Sequence, residues 1–242
     1  MTRVLALLLI FLPQRLKHVV ARRLLGWEIH PTAYIGRSLV MVPRVTMEEG
    51  AQIGHLNVIR DFDELRMAKG ASIASTGCPG GGRGGSRNWI VGVPSSSGIY
   101  SDPRRDPSLV MGEYAVITTA HDLDVTDRIE LGKQAAIAGF RSAILTHNLN
   151  LVTDRFGSSK VTLGDYGVLM SGCTLQSGTN VPARSIVSAG SVVATKLNAE
   201  LTLYRGNPAE PVRELPERLK FFHREGRQAQ IEAEVRRWME KS

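Results

Sequence analysis

The sequence predicts an all-β chain wound into a stack of triangular coils, a parallel β-helix, and three observations predict it. Aliphatic residues recur at every sixth position from Leu163 through Leu169, Leu175, Val181 and Val187 to Val193. Glycine follows three of them by three residues, at Gly172, Gly178 and Gly190. The fifth place of each hexad is small: Gly167, Cys173, Thr179, Ser185 and Ser191. Six is neither the helical period nor a strand alternation, and a short, strict period marks a stacked repeat.

One hexad makes a short strand and a corner. The aliphatic residue and the small fifth residue lie an even number of places apart, so on a strand they share a face. That face points into a narrow tube, and three hexads close one coil of about 18 residues. Upstream, Ile29, Ile35, Met41, Met47, Ile53, Ile59 and Leu65 keep the period. So do Met111, Ile117, Leu123 and Ile129, before a shift of two leads to Leu131 and Ile137. Glu49-Gly50-Ala51-Gln52-Ile53-Gly54 is echoed twenty residues on by Lys69-Gly70-Ala71-Ser72-Ile73-Ala74, which predicts a coil with a two-residue bulge. Asn57-Val58-Ile59 is echoed by Asn88-Trp89-Ile90 across a glycine-rich insertion.

The ends are expected to be different. Residues 1–26 carry Arg3, Arg15, Lys17, Arg22 and Arg23 and no acid, five of the seven net positive charges. Val4 to Leu12 is an unbroken apolar run of nine, too short for a span of about 20. Pro13 ends it and opens a second helical stretch. Leu8, Leu12, Leu16, Val20 and Leu24 are four apart, which predicts one apolar helix side with basic residues elsewhere. That pattern suits a helix lying on an anionic membrane surface and capping the open end of the tube. The signal-peptide alternative has no small-x-small cleavage site. No aromatic-interleaved basic patch points to nucleic acid. Residues 216–241 read as a charged helix with Ile231, Val235 and Trp238 on one side. Cys78 and Cys173 give no disulfide framework and no metal spacing, and Cys173 reads as core filler. No other cluster has zinc spacing, so no catalytic metal is expected. This composition suits a reduced, cytoplasmic site, peripheral at the cytoplasmic face of the membrane.

The chain resembles the hexapeptide-repeat acyltransferase superfamily. The residues that carry the resemblance are Val161-Thr162-Leu163-Gly164-Asp165-Tyr166, then Ser188-Ala189-Gly190-Ser191-Val192-Val193, and a closing Gly206-Asn207-Pro208-Ala209. The resemblance implies a left-handed β-helix, since the period by itself does not give the hand. It divides the chain into a basic, capping segment 1–26, a β-helix 27–205, and a segment 206–242 that covers coenzyme A and ends in a helix.

Three stretches break the repeat: 76–87, with Gly80 to Gly82, Gly84 and Gly85; 93–107, with Arg104-Arg105; and 148–160. The first lacks the strand, helix and Lys-Ser/Thr ending of a phosphate loop. The third follows Ile144-Leu145-Thr146-His147, which resembles the active-site stretch of the sugar and xenobiotic O-acetyltransferases. That resemblance implies that His147 is a general base, taking a proton from an acceptor hydroxyl as it attacks the thioester of acetyl-CoA. Asn148 and Asn150 stand where the family often shows a second polar residue.

Counting along the hexads puts Asn57, Asp63, His121, Asp127, Arg141 and His147 at the inward fifth place. Asp127 and His147 are twenty apart, as are His121 and Arg141, so each pair is expected to stack on neighbouring coils about 4.8 Å apart. Asp127 is thus expected to orient His147. Alternatively, the inward polar residues form a structural network. His121, in His121-Asp122-Leu123-Asp124, resembles a catalytic His-x-x-Asp and is the alternative base.

The same resemblance implies a homotrimer with coenzyme A between tubes, against Gly172, Ala189 and Gly190, with Lys196 and Arg205 near its phosphates and Asn207 in the covering loop. The implied activity is an acetyl-CoA-dependent O-acetyltransferase on a sugar hydroxyl of a surface polysaccharide or glycolipid. An amino-sugar N-acetyltransferase and a non-catalytic scaffold are the alternatives.

Overall fold

The computed structural model describes residues 2–73, 87–100, 102–228, 230 and 233. The chain adopts the fold class expected from the period, a parallel β-helix of hexapeptide repeats. Strands of two to six residues build its three faces. The first face runs from Glu28–Ile29 to Asn180–Val181 in seven strands. The second runs from Tyr34–Ile35 through nine strands to Ala209–Glu214. The third runs from Leu39–Met41 in seven strands to Val192–Val193. Leu163, Leu169, Leu175, Val181, Val187 and Val193 are all buried, and so are the small residues Cys173, Thr179, Ser185 and Ser191 beside them.

Register follows the echoes in the sequence. Gln52 pairs with Ser72, twenty residues on, and Val58 pairs with Trp89 across the insertion. Gly70 adopts a left-handed φ of +67°, and a Cβ there would lie 2.3 Å from the Tyr114 ring of the next coil, so the corner needs glycine on two counts. Met41 departs from the expected pattern. Val40 rather than Met41 lies opposite buried Ile59, which turns Met41 outward.

The inward polar residues form a ladder along the tube. Asn57 Nδ2 donates to Ser38 Oγ at 3.2 Å, and Asn88 Nδ2 donates to Asn57 Oδ1 at 3.0 Å. The His121 N–H donates to Asn88 Oδ1 at 2.8 Å, and the Ser142 N–H to His121 Nδ1 at 3.1 Å. Among the described residues no buried side-chain nitrogen or oxygen lacks a partner. This is the structural network that burial of polar groups demands.

Two helices, α1 (Thr2–Leu9) and α2 (Gln14–Arg23), close the first coil, with Pro13 at the N-cap of the second. An end coil exposes a row of strand carbonyls. Lys17 is buried and donates through Nζ to the carbonyls of Ile35 at 2.9 Å and Gly36 at 2.6 Å. Arg22 Nε donates to Ile29 O at 2.8 Å, and Gln14 and His18 meet Ala33 O. Burial, and after it the charge of Arg37, push the Lys17 ammonium down from its ordinary value. The turn between α1 and α2 breaks the expected single stripe. Leu12 and Val20 pack against the core, whereas Leu8, Leu16 and Leu24 are exposed. No helix among the described residues is long and apolar enough to cross a membrane.

At the other end, Thr202–Gly206 and Ala209–Glu214 form an antiparallel hairpin that finishes the second face. Gly206 to Ala209 is therefore the turn of that hairpin, and the expected boundary at 206 cuts through it. Tyr166, Leu215 and Phe222 make a small separate core beneath the short 3-10 turns Lys220–His223 and Glu225–Arg227. Ile231, Val235 and Trp238 lie outside the described residues, as does most of the 76–87 break.

Candidate active site

The breaks at 93–107 and 148–160 fall at one corner of the tube, where the third face passes to the first between Val91 and Ser108 and between Ile144 and Val161, in coils on either side of the Asp122–Asp124 strand. The second of these is a β-hairpin, His147–Asn150 against Arg155–Ser158, rather than a loop. Asn150 Oδ1 accepts the N–H groups of Val152 and Thr153 and so shapes its turn. Asn148 sits at its base, with Nδ2 3.4 Å from Ser177 Oγ.

His147 opens this hairpin with 46% of its side chain exposed, and its Nδ1 lies 2.6 Å from Asp124 Oδ2. The same carboxylate oxygen accepts the N–H groups of Thr146 at 2.8 Å and His147 at 3.0 Å. Asp124 therefore fixes the backbone and the ring of His147 together. Its Oδ1 accepts from Thr126 N at 3.1 Å and from Thr126 Oγ1 at 2.6 Å. Burial raises the Asp124 carboxyl, but hydrogen bonds from Thr126, His147 and Thr146 outweigh it and hold the group below its ordinary value. An ionised carboxylate only accepts, so the His147 proton sits on Nδ1 and Nε2 keeps a free lone pair. That is the tautomer a general base requires.

Asp127 does not meet His147. Its carboxylate accepts from Arg128 N at 2.8 Å, Asp106 N at 3.2 Å and Ser158 Oγ at 2.9 Å. Asp127 thus ties the 93–107 segment to the hairpin. His147 leaves the tube as the first residue of the hairpin, and the expected stacking of His121 on Arg141 fails because a register shift at Ile117/Thr119 moves the third face from twenty to twenty-one. Ser142 rather than Arg141 comes to lie beside His121. Arg141 and His147 both face outward, and Asp63 is half-buried at the corner.

His121 is fully buried, with Nε2 2.9 Å from Thr118 Oγ1 and Nδ1 taken by the Ser142 N–H. No acceptor hydroxyl can reach either nitrogen, so the burial that makes it part of the ladder removes it as the base. Burial pushes its pKa down to about 4, against a smaller opposing effect of the Gly139 carbonyl. An unfolded histidine takes up its proton near 6.5. Between these values the unfolded chain binds the extra proton, so stability falls as the pH drops from about 6.5 to about 4, by about 3 kcal/mol in total. Urea unfolding at about pH 7.5 and about pH 4.5, at fixed protein concentration, is expected to show this loss reduced in His121→Gln.

Gly172, Ala189 and Gly190 are exposed at the corner between the second and third faces. Gly172 and Gly190 have φ of +67° and +73°, and a Cβ at Gly190 would meet nothing within 4 Å. Their backbone is open to an extended ligand, although corner geometry alone already calls for glycine. Lys196, Arg205 and Asn207 are exposed beyond the last coils, with Arg205 opposite Glu210 in the terminal hairpin. Cys173 is buried and its thiol is pushed up by burial, as befits core filler. Among the described residues no group of three or more His, Cys, Asp or Glu could hold a metal.

No family model and no curated protein matches the chain. Several solved structures resemble it. A hexapeptide-repeat-containing acetyltransferase of Vibrio cholerae, complexed with acetyl coenzyme A, is 16% identical, with 89% of this chain and 87% of that one covered at a TM-score of 0.46. A variant of AntD, an N-acyltransferase from Bacillus cereus in complex with dTDP and coenzyme A, is 12% identical over 81% and 91%, also at 0.46. The polySia-specific acetyltransferase NeuO is 10% identical over 86% and 92%, at 0.49.

Proposed function

We propose that this protein transfers an acetyl group from acetyl-CoA to a sugar hydroxyl of a surface polysaccharide or glycolipid. The observation that carries the reading is the Asp124–His147 pair, 2.6 Å apart, with the ring exposed at a corner built by two insertions. His147 Nε2 accepts the acceptor hydroxyl proton while the oxygen attacks the thioester carbonyl. The tetrahedral intermediate collapses, the C–S bond breaks, and the imidazolium returns its proton to the departing thiolate. Asp124 stabilises the imidazolium between these steps.

Gly172, Ala189 and Gly190 would line the pantetheine, with Lys196 and Arg205 near the phosphates and Asn207 in the turn above. They lie one face-width from the corner of His147. A homotrimer, which packs one tube against the next, would bring glycine corner and base together. The outer side of the N-terminal cap supports a membrane-bound acceptor. Val4, Leu7, Leu8 and Phe11 are 61%, 50%, 51% and 84% exposed and follow helical spacing, with Arg15 and Arg23 also exposed nearby.

At about 100 times its dissociation constant, acetyl-CoA is expected to add about 2.7 kcal/mol, which raises the melting temperature by roughly 5–10 °C. An unchanged melt at saturation would favour a scaffold. In parallel, the protein is expected to float with phosphatidylserine vesicles and not with phosphatidylcholine vesicles, and Phe11→Asp is expected to lose that flotation. Equal flotation of wild type and variant would remove the membrane from the proposal.

A further inference from the structure

Among the described residues one tryptophan is exposed. Trp89 stands 49% exposed on the third face, whereas Trp27 is buried. Side chains alternate along a strand, so Trp89 and Val91 point out of the tube on either side of buried Ile90. Register fixes their neighbours. Trp89 lies between Val58 and Asp122 of the adjoining coils, and Val91 lies between Arg60 and Asp124. Trp89 is therefore one coil and two residues from Asp124, about 8 Å between Cα atoms at about 4.8 Å per coil and about 3.3 Å per residue. The indole shares the outer wall from which Asp124 holds the His147 ring.

Two neighbours define what the indole can meet. The Arg60 guanidinium lies 5.8 Å from the ring centre, within cation–π range, and is itself tied to Asp61 at 2.7 Å. The ring is thus steadied by a cation while half of the residue stays open. Asp122, opposite it in the next coil, is exposed, and among the described residues its carboxylate has no hydrogen-bond or ion-pair partner. A flat apolar partner laid over this spot would bury that charge unpaired, which costs free energy. A sugar ring suits it better. An indole face is electron-rich, and one side of a pyranose offers C–H bonds polarised by the ring oxygens. The hydroxyls on the rim of the sugar can donate to Asp122, which only accepts, and accept from Arg60, which only donates. A steadied indole also gives a broad contact at little entropic cost.

We propose that Trp89, with Asp122 and Arg60, is a saccharide subsite that stacks the sugar unit next to the one being acetylated. The reacting hydroxyl must lie within hydrogen-bond reach of His147 Nε2. A ring stacked one coil and two residues away along the same wall is the neighbouring unit of the same glycan. The subsite selects acceptors of two or more sugars over a single one, and it rests on the reading of the protein as a glycan acetyltransferase.

The probes are oligosaccharides of one to four units, size-separated after de-O-acetylation and partial acid hydrolysis of the surface glycan, used with acetyl-CoA and the full chain. In the wild type, KM for the acceptor is expected to fall about tenfold from one unit to two. In Trp89→Ala, KM for the two-unit acceptor is expected to rise about tenfold, with KM for acetyl-CoA as in the wild type. Trp89→Tyr, which keeps a stacking face, is expected to regain most of that loss, and Asp122→Asn to raise the same KM. Equal KM for one and two units in the wild type, or wild-type KM in Trp89→Ala, would overturn the subsite and leave acetyl transfer standing. Absence of transfer to every fraction by the wild type would overturn the transfer reading and the subsite with it. A lower sedimentation mass of Trp89→Ala would overturn the subsite in favour of an interface between copies of this chain.

Discussion

His147→Ala is expected to lower acetyl transfer about 10²–10⁴-fold, the range a positioned general base supplies. The loss is expected in kcat, because the ring works on the proton in the transition state rather than on binding of acetyl-CoA. Nearly half of the side chain is already in solvent, and without the ring the Asp124 carboxylate still accepts from Thr126 N and Oγ1, Thr146 N and the backbone N–H at 147. The melting temperature and its rise with acetyl-CoA should therefore stay close to wild type. The assay is release of the coenzyme A thiol in the presence of a glycan acceptor extract, with acetylated glycan confirmed by mass. Near-normal turnover in this variant would refute His147 as the base. His121→Gln separates the two histidines: its expected effect is on stability against pH, since no substrate reaches a ring with no exposure.

Periodicity made the tube legible, because the tube has one repeated requirement. A narrow interior takes an aliphatic residue and a small one per strand, and a slip of one residue would turn both to solvent. The regular hexads from Leu163 to Val193 meet that requirement at every step, and each of those residues is buried. The echoes at Gln52 and Val58 were legible for the same reason, since side chains stack on their counterparts in the next coil. His147 was legible only through its resemblance to a known active-site stretch, because its exposure at the break of the repeat obeys no periodic rule.

The partner of His147 was harder to read. Counting twenty residues assumes that every corner between Asp127 and His147 has the same length, and the bulge at Ile117/Thr119 adds one residue on the second face. A single added residue exchanges Arg141 for Ser142 beside His121. Asp127 misses the His147 ring for another reason: the chain leaves the tube at His147 to form the hairpin, and the Asp127 N–H meets Thr146 Oγ1, nineteen residues on, at 2.9 Å. Asp124 stood in the His-x-x-Asp pattern, but that pattern tied it to His121, three residues before it. Their side chains cannot meet, since one points into the tube and the other to the corner. Arg105, buried and donating to the carbonyls of Val93, Pro94 and Thr126, left no periodic trace, because the segment that carries it lies outside the repeat. Lys17 and Arg22 read as lipid-facing charge, yet the unpaired carbonyls of the first coil claim both. Charge counted along a sequence does not distinguish an edge to be capped from a surface to be bound.

Asp124→Asn is expected to cost nearly as much as loss of the base, and for a different reason. The carboxylate takes two donors on Oδ1, from Thr126 N and Oγ1, while its Oδ2 takes Thr146 N, His147 N and His147 Nδ1. An amide offers one accepting oxygen and one NH₂. If the oxygen stays with the backbone N–H groups of Thr146 and His147, the NH₂ opposes two donors from Thr126. If it turns to Thr126, the NH₂ faces His147 Nδ1, which must then accept and place its proton on Nε2. That tautomer has no lone pair left for the acceptor hydroxyl. Where a buried aspartate orients a general-base histidine in serine proteases, the same substitution costs about 10⁴-fold in kcat. The expected loss here is about 10³–10⁴-fold, with the imidazole 15N NMR pattern of His147 inverted at neutral ring charge. Because the amide leaves donors opposed in either orientation, a stability loss of about 1–3 kcal/mol accompanies it. Asp127→Asn is the informative contrast. Its carboxylate holds the 93–107 segment and Ser158 rather than the ring, so it should lower stability and leave the His147 tautomer as in wild type. A tautomer changed by Asp127→Asn and untouched by Asp124→Asn would reverse the assignment of the two carboxylates.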